Sequence, residues 1–242
     1  MQSISAEMNL SETAFALPLE SGPMKSISNF SLRWFTPSVE VPLCGHATLA
    51  TAAVLFSDIG TDADSVSFQT LSGTLVAKRE HNGILLDFPA DNPVAMDKPV
   101  ELLRALGIDR FLNILYGRKT KMLMIHLQSG ETVKNLEPHI ELMKKARTRE
   151  DFIGVIVTAA GKPPYDFISR FFAPWVGVDE DPVTGSAHTV LAPYWSRISG
   201  KKEMIAHQAS ARGGNLTVRL CDNDRVALIG NAVIVLKGEL FL

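Results

Sequence analysis

The densest run of reactive side chains in the sequence is Glu180-Asp181-Pro182-Val183-Thr184-Gly185-Ser186-Ala187-His188. Asp181 is of the type that serves as a proton acid or base. Ser186, directly behind a helix-starting glycine, either caps that helix or holds a substrate oxygen, and capping is the simpler reading. An earlier segment, Gly45-His46-Ala47-Thr48-Leu49-Ala50, has the same layout, with His46 where the later copy has Ser186. An imidazole changes charge near neutrality, which suits proton transfer. Asn9-Leu10-Ser11-Glu12-Thr13 reads as a helix end and polar turn, in which Glu12 taken alone is a surface carboxylate. Gly45 and Gly185 each open a helix behind a proline-bearing loop. N–H groups at a helix start lack partners and favour anions, so two such starts facing one cleft would hold a carboxylate-bearing small molecule. Tight turns alone would also account for both glycines.

The bulk composition excludes several other classes. Lys and Arg number 24 against 26 Asp and Glu, and the densest basic stretch is Lys144-Lys145-Ala146-Arg147 on an expected helix. Nucleic acid and anionic membrane are therefore not expected partners. Cys44 and Cys221 are far apart and belong to no CxxC or Cys/His ligand pattern, which fits a reducing cytosol. The histidines show no HExxH, and no structural metal is expected. Met1 to Met8 lacks a signal-peptide pattern, and no run of about 18 apolar residues is present. The expectation is a soluble cytoplasmic protein.

Short apolar, β-branched runs bounded by Gly, Asn, Asp or Pro predict strands over residues 65–70, 74–78, 84–88, 121–127, 152–158, 165–172, 216–220, 225–228 and 233–241. His81-Asn82-Gly83 and Asp222-Asn223-Asp224 read as hairpin turns. Helices are expected over 47–56, 100–106, 138–146 and 187–198. The fold class is therefore α+β, with antiparallel sheet.

An internal repeat organises these elements. Arg33-Trp34-Phe35-Thr36-Pro37 is echoed by Arg170-Phe171-Phe172-Ala173-Pro174, and the Gly45 segment by the Gly185 segment, with three more residues ahead of the second glycine. Gln69-Thr70-Leu71-Ser72-Gly73 and Gln208-Ala209-Ser210-Ala211-Arg212-Gly213-Gly214 each lead into a hairpin. Two like-folded halves are expected, residues 1–98 with 232–242 and residues 99–231. Their boundary falls in the Pro- and Asp-rich stretch from Pro89 to Pro99.

Taken together, residues 7–15, Arg33 to Pro37, Pro42 to Thr48, Glu180 to His188 and Arg212-Gly213-Gly214 resemble the phenazine-biosynthesis (PhzF-like) family, and its animal branch most. The resemblance spans essentially the whole chain. It implies the diaminopimelate-epimerase fold, two pseudo-symmetric halves that are each a β-barrel-like sheet around a central helix, with the active site between them. It also implies an isomerase-type activity that moves a proton within a small cyclic, carboxylate-bearing substrate, without metal or organic cofactor, and a possible homodimer. The catalytic residues it implies are Glu12, His46 and Asp181; Asn9, Ser11, Gly45, Gly185 and Ser186 would bind substrate. Family members carry a further strand ahead of the point where this sequence begins, so a first strand is expected to be missing.

Two alternatives stand beside this reading. Epimerases of the same fold place two thiols directly before the helix-starting glycines, where this sequence has Cys44 and Thr184; a threonine hydroxyl is too weak an acid for that shuttle. Cys44 then reads as a small packed residue. The other alternative is a non-catalytic small-molecule-binding or protein-interaction protein that keeps the cleft. For Glu12 as a base, burial beside a second carboxylate predicts a raised pKa.

Overall fold

The computed structural model describes residues 1–146 and 152–240, and the chain divides into two compact units. Arg147 of the basic stretch, with Phe241 and Leu242 at the end of the last apolar run, lies outside the described residues. Unit 1 holds Met1–Asp87 and the chain from Ile229 onward; unit 2 holds Phe88–Leu228.

Unit 1 opens with α1 (Gln2–Met8), which stops at Asn9 in the left-handed conformation, φ 49°, a backbone state that Asn tolerates better than most residues. There follow β1 (Thr13–Pro18), β2 (Asn29–Phe35), β3 (Glu40–Val41), α2 (Gly45–Ala53), β4 (Ser65–Thr70), β5 (Gly73–Glu80) and β6 (Gly83–Pro89). The predicted helix over 47–56 thus begins two residues earlier, and beyond Ala53 it widens into a π-helical turn, Val54–Ile59. The strand order is β1-β2-β4-β5-β6, with β3 on β2. β2 and β4 run parallel because α2 carries the chain between them as a crossover. The other pairs are antiparallel.

Unit 2 comprises β7 (Val94–Ala95), α3 (Val100–Leu106), β8 (Asn113–Gly117), β9 (Met122–His126), α4 (Gly130–Lys134), α5 (Ile140–Lys145), β10 (Gly154–Ala160), β11 (Phe167–Phe172), α6 (Gly185–Ser199), β12 (Glu203–Gln208), β13 (Gly214–Cys221) and β14 (Arg225–Gly230). Its order is β14-β13-β12-β11-β10-β9-β8-β7, with β9–β10 and β11–β12 parallel. The fold is α+β, but the sheet is mixed rather than antiparallel, since each crossover helix imposes a parallel pair. The strand order runs out at β1 in unit 1 and at the two-residue β7 in unit 2, so the sheet stays open and is not a barrel. The expected final strand does not form either. Residues 231–240 have no regular structure, and Val233, Val235 and Leu236 are exposed, with no ladder partner among the described residues.

The repeat is carried into the fold. β1-β2-α2-β4-β5-β6 and β10-β11-α6-β12-β13-β14 follow the same sequence of antiparallel pair, parallel crossover and antiparallel hairpin. In the first copy Arg33 pairs with Glu40 at 2.6 Å; in the second Arg170 pairs with Glu180 at 2.7 Å. Each guanidinium also lies over the phenylalanine two residues on, 5.2 Å from the Phe35 ring centre and 4.9 Å from that of Phe172. The longer second loop is absorbed between Arg170 and Glu180, because Glu40 and Glu180 both stand five residues ahead of their helix-opening glycines. Both predicted hairpin turns form, the second with Asn223 and Asp224 at positive φ.

In unit 2, every residue of α6 from Ala187 to Trp195 is buried. Pro193 inside this helix has no N–H to offer the carbonyl of Thr189. The backbone N–H of Asp91 takes that acceptor at 3.1 Å. Trp195 Nε1 donates to Thr158 Oγ1 at 3.0 Å and so fixes α6 on β10. Among the described residues no helix is long and apolar enough to cross a membrane.

Candidate active site

In unit 1, Glu12 stands immediately before β1, whose register against β2 (Thr13 opposite Phe35) fixes where its side chain leaves the backbone. The left-handed turn at Asn9 ends α1 in time for residues 10–12 to cross to that strand. α2 packs against β1 and brings its first turn alongside. Cys44 is the N-cap of α2, Gly45 its first residue and His46 its second. The outcome is one group: Nε2 of His46 lies 2.9 Å from Oε2 of Glu12 and 3.4 Å from Oγ of Ser11, and Sγ of Cys44 lies 3.8 Å from both ring nitrogens. Glu12 is largely shielded, its side chain 13% exposed, while that of His46 is 24% exposed.

The protonation state of Glu12 departs from the sequence expectation. Burial is the largest single influence and pushes its carboxyl up, but hydrogen bonding and charge from His46, with hydrogen bonds from Ser11 and Cys44, outweigh it. The carboxyl is held below the ordinary carboxylate range, not above it. The donors win because they point at the charged form. Cys44 behaves oppositely. Burial pushes its thiol up, so it is a neutral donor rather than a thiolate.

In unit 2, Asp181 is buried, and its Oδ2 accepts a short hydrogen bond from the hydroxyl of Thr184. Gln208, fully buried at the end of β12, holds this loop with three bonds. Its Nε2 donates to the Asp181 carbonyl at 2.7 Å and to Thr184 Oγ1 at 3.0 Å, and its Oε1 accepts from Thr184 N at 2.8 Å. Ser210 Oγ donates to the Pro182 carbonyl at 2.8 Å. The Gly213-Gly214 pair serves the same loop. Gly213 adopts φ +68°, and a Cβ on Gly214 would meet Val183 Cγ2 at 2.2 Å. His188 is wholly buried, its Nδ1 2.7 Å from the Thr184 carbonyl; burial pushes its pKa down to about 4, which keeps it neutral.

The structure thus brings Ser11, Glu12, Gly45 and His46 together in unit 1, and sets Asp181, Gly185 and Ser186 around the start of α6 in unit 2. Asn9 is exposed and terminates α1. Ser186 is not the cap: Thr184 holds the N-cap position and Ser186 is the second helical residue. Two further residues contribute. The sequence reading of Cys44 as a packed residue does not include its contact with His46, although its slot before the helix glycine points there. Gln208, which in the sequence only leads into a hairpin, holds the Asp181 loop; its place as the repeat mate of Gln69 is the one signal for it.

The family model described as phenazine biosynthesis-like protein (PhzC-PhzF) matches residues 1–238. Phenazine biosynthesis-like domain-containing protein 1 of Mus musculus is 47% identical over 255 residues, spanning 99% of this chain and 87% of the mouse protein. A protein of Halalkalibacterium halodurans named as an uncharacterized isomerase is 46% identical over 245 residues, 100% of this chain and 87% of its own length. Among solved structures, a PhzF-family phenazine biosynthesis protein from Enterococcus faecalis matches with a TM-score of 0.88 at 38% identity, over 100% of this chain and 86% of that one.

Proposed function

The chain belongs to the phenazine biosynthesis-like (PhzC-PhzF) family, and from that premise we propose that it is an isomerase-type enzyme whose base is Glu12. In this reading Glu12 removes a proton from carbon in a small cyclic, carboxylate-bearing substrate and returns it at another position, using side-chain acid/base chemistry alone. The observation that carries it is the 2.9 Å contact between Glu12 and His46 in a shielded setting. A carboxylate held below its ordinary range is fully ionised near neutrality and ready to accept a proton, although it is an intrinsically weak base.

Substrate binding supplies the missing strength. When His46 turns its N–H to an oxygen or nitrogen of the substrate, Glu12 loses its main donor, and burial, already the largest influence on it, dominates. The carboxylate becomes more basic at the moment the substrate arrives. His46 meanwhile stabilises the charge that develops on the substrate as the proton leaves carbon. Asp181 is the second candidate acid/base group, and the start of α6 at Gly185 and Ser186, which has no side-chain cap, suits a carboxylate.

The test is a screen of cyclic amino acids and hydroxyanthranilate-like compounds in deuterated water, read by mass spectrometry. The expected result is deuterium at a defined carbon of at least one compound that binds. Tight binding with no exchange in any bound compound would instead make the chain a binding protein.

A further inference from the structure

The Glu12 group has a property that proton transfer does not use. One imidazole nitrogen, one carboxylate oxygen and one thiol sulfur, from His46, Glu12 and Cys44, all lie within 4.8 Å of one another. We propose that these three side chains bind a single Zn²⁺-class cation and that the bound ion switches off the proton transfer assigned to Glu12. The inhibitory half rests on that assignment; the binding half rests on the donor set alone.

The geometry needs little adjustment. Around a tetrahedral zinc, N, O and S donors stand about 3.3–3.6 Å apart. His46 Nε2 is 2.9 Å from Glu12 Oε2 and 3.8 Å from Cys44 Sγ, so one gap opens and the other closes by a few tenths of an ångström. Nε2 faces Glu12, whereas Sγ of Cys44 lies equally near both ring nitrogens, so a turn of the imidazole is needed to aim Nε2 between the two; Ser11 Oγ at 3.4 Å offers an oxygen beside the same nitrogen. The donors also sit beside regular elements, Cys44 and His46 at the start of α2 and Glu12 immediately before β1.

The mixed N/O/S set selects the ion. Mg²⁺ and Ca²⁺ prefer six or more oxygens and gain nothing from a thiol, whereas Zn²⁺ and Cd²⁺ accept all three donor types. On binding, the neutral Cys44 thiol releases its proton to water, and thiolate and carboxylate together balance the dication. The ion then occupies the Glu12 lone pair that would take the substrate proton and the Nε2 position from which His46 would donate.

The experiment uses the full chain with Zn²⁺, measured by competition with a metallochromic indicator, and with Cd²⁺, followed by thiolate-to-cadmium ultraviolet absorption. One ion per chain is expected. Cys44→Ser should lose the cadmium band and weaken Zn²⁺ binding at least about tenfold, whereas Cys221→Ser should keep both. Glu12→Gln and His46→Asn should each weaken binding, which guards against a Cys44 variant that fails to fold. Unchanged affinity in folded Cys44→Ser, no uptake by the wild type, or equal competition by Mg²⁺ would overturn the site. With an exchange substrate in hand, Zn²⁺ should suppress deuterium incorporation; stimulation would overturn the inhibitory half. The binding measurements need no substrate, so their failure is distinct from failure of the isomerase reading.

Discussion

Oε2 of Glu12 and Nε2 of His46 stand 2.9 Å apart, although they come from the turn before β1 and the first turn of α2. The contact is the main influence that holds the Glu12 carboxyl below its ordinary range. Without His46, burial would act against Ser11 and Cys44 alone. The Glu12 carboxyl should therefore titrate at higher pH in His46→Ala than in the wild type, as read by carbon-13 NMR of labelled glutamate side chains. If it stays at the wild-type position, His46 does not set the charge of the base.

A different histidine, His188, contributes to the fall of stability at mildly acidic pH. His188 is buried and neutral, its pKa pushed from 6.5 down to about 4. Between those values the unfolded chain binds a proton that the native chain refuses, so stability falls as pH drops through this window and is level above it. The loss amounts to about 3 kcal/mol. Glu12, with its depressed pKa, adds a further loss that begins as pH falls below its ordinary value of 4.5. Urea unfolding across pH 4 to 7 should show a flatter profile for His188→Gln than for the wild type. Equal slopes would mean that His188 is not protected from protons in the native state.

The loop ahead of α6 depends on the absence of a side chain at Gly214, where a Cβ would meet Val183 Cγ2 at 2.2 Å. Gly214→Ala should cost about 1–3 kcal/mol through overpacking. Adding Val183→Ala should recover part of that loss by clearing the clash. Thermal unfolding of the single and double variants checks the coupling; purely additive losses would place the strain elsewhere.

The repeat was legible because Arg, Pro and Gly each impose local geometry that survives sequence drift. Arg33 and Arg170 keep the same ion pair and ring contact in both copies. The helix starts were legible for the same reason, since Gly45 and Gly185 mark them in the sequence. The parallel pairs were not, because a run such as residues 65–70 looks the same whichever way its neighbour runs. Nor was the tail: the apolar alternation of Val233 and Val235 favours a strand, but a strand needs a partner, and pattern alone does not supply one. At the site, residue types pointed to Glu12 and His46, whereas the sign of the Glu12 shift depended on how many donors reach one carboxylate. Only the packing of α2 on β1 determines that.

If Glu12 moves the proton, Glu12→Gln removes the group that carries it. Glutamine keeps the shape and one carbonyl acceptor for His46 but has no carboxylate to protonate. Deuterium incorporation by wild-type and Glu12→Gln protein should be compared on a compound the wild type exchanges, alongside calorimetric affinity for that compound. The prediction is loss of exchange by at least a hundredfold, on the order of a general base's contribution, with affinity changed by less than about tenfold, roughly 1.4 kcal/mol. Exchange at the wild-type rate in Glu12→Gln would contradict the account.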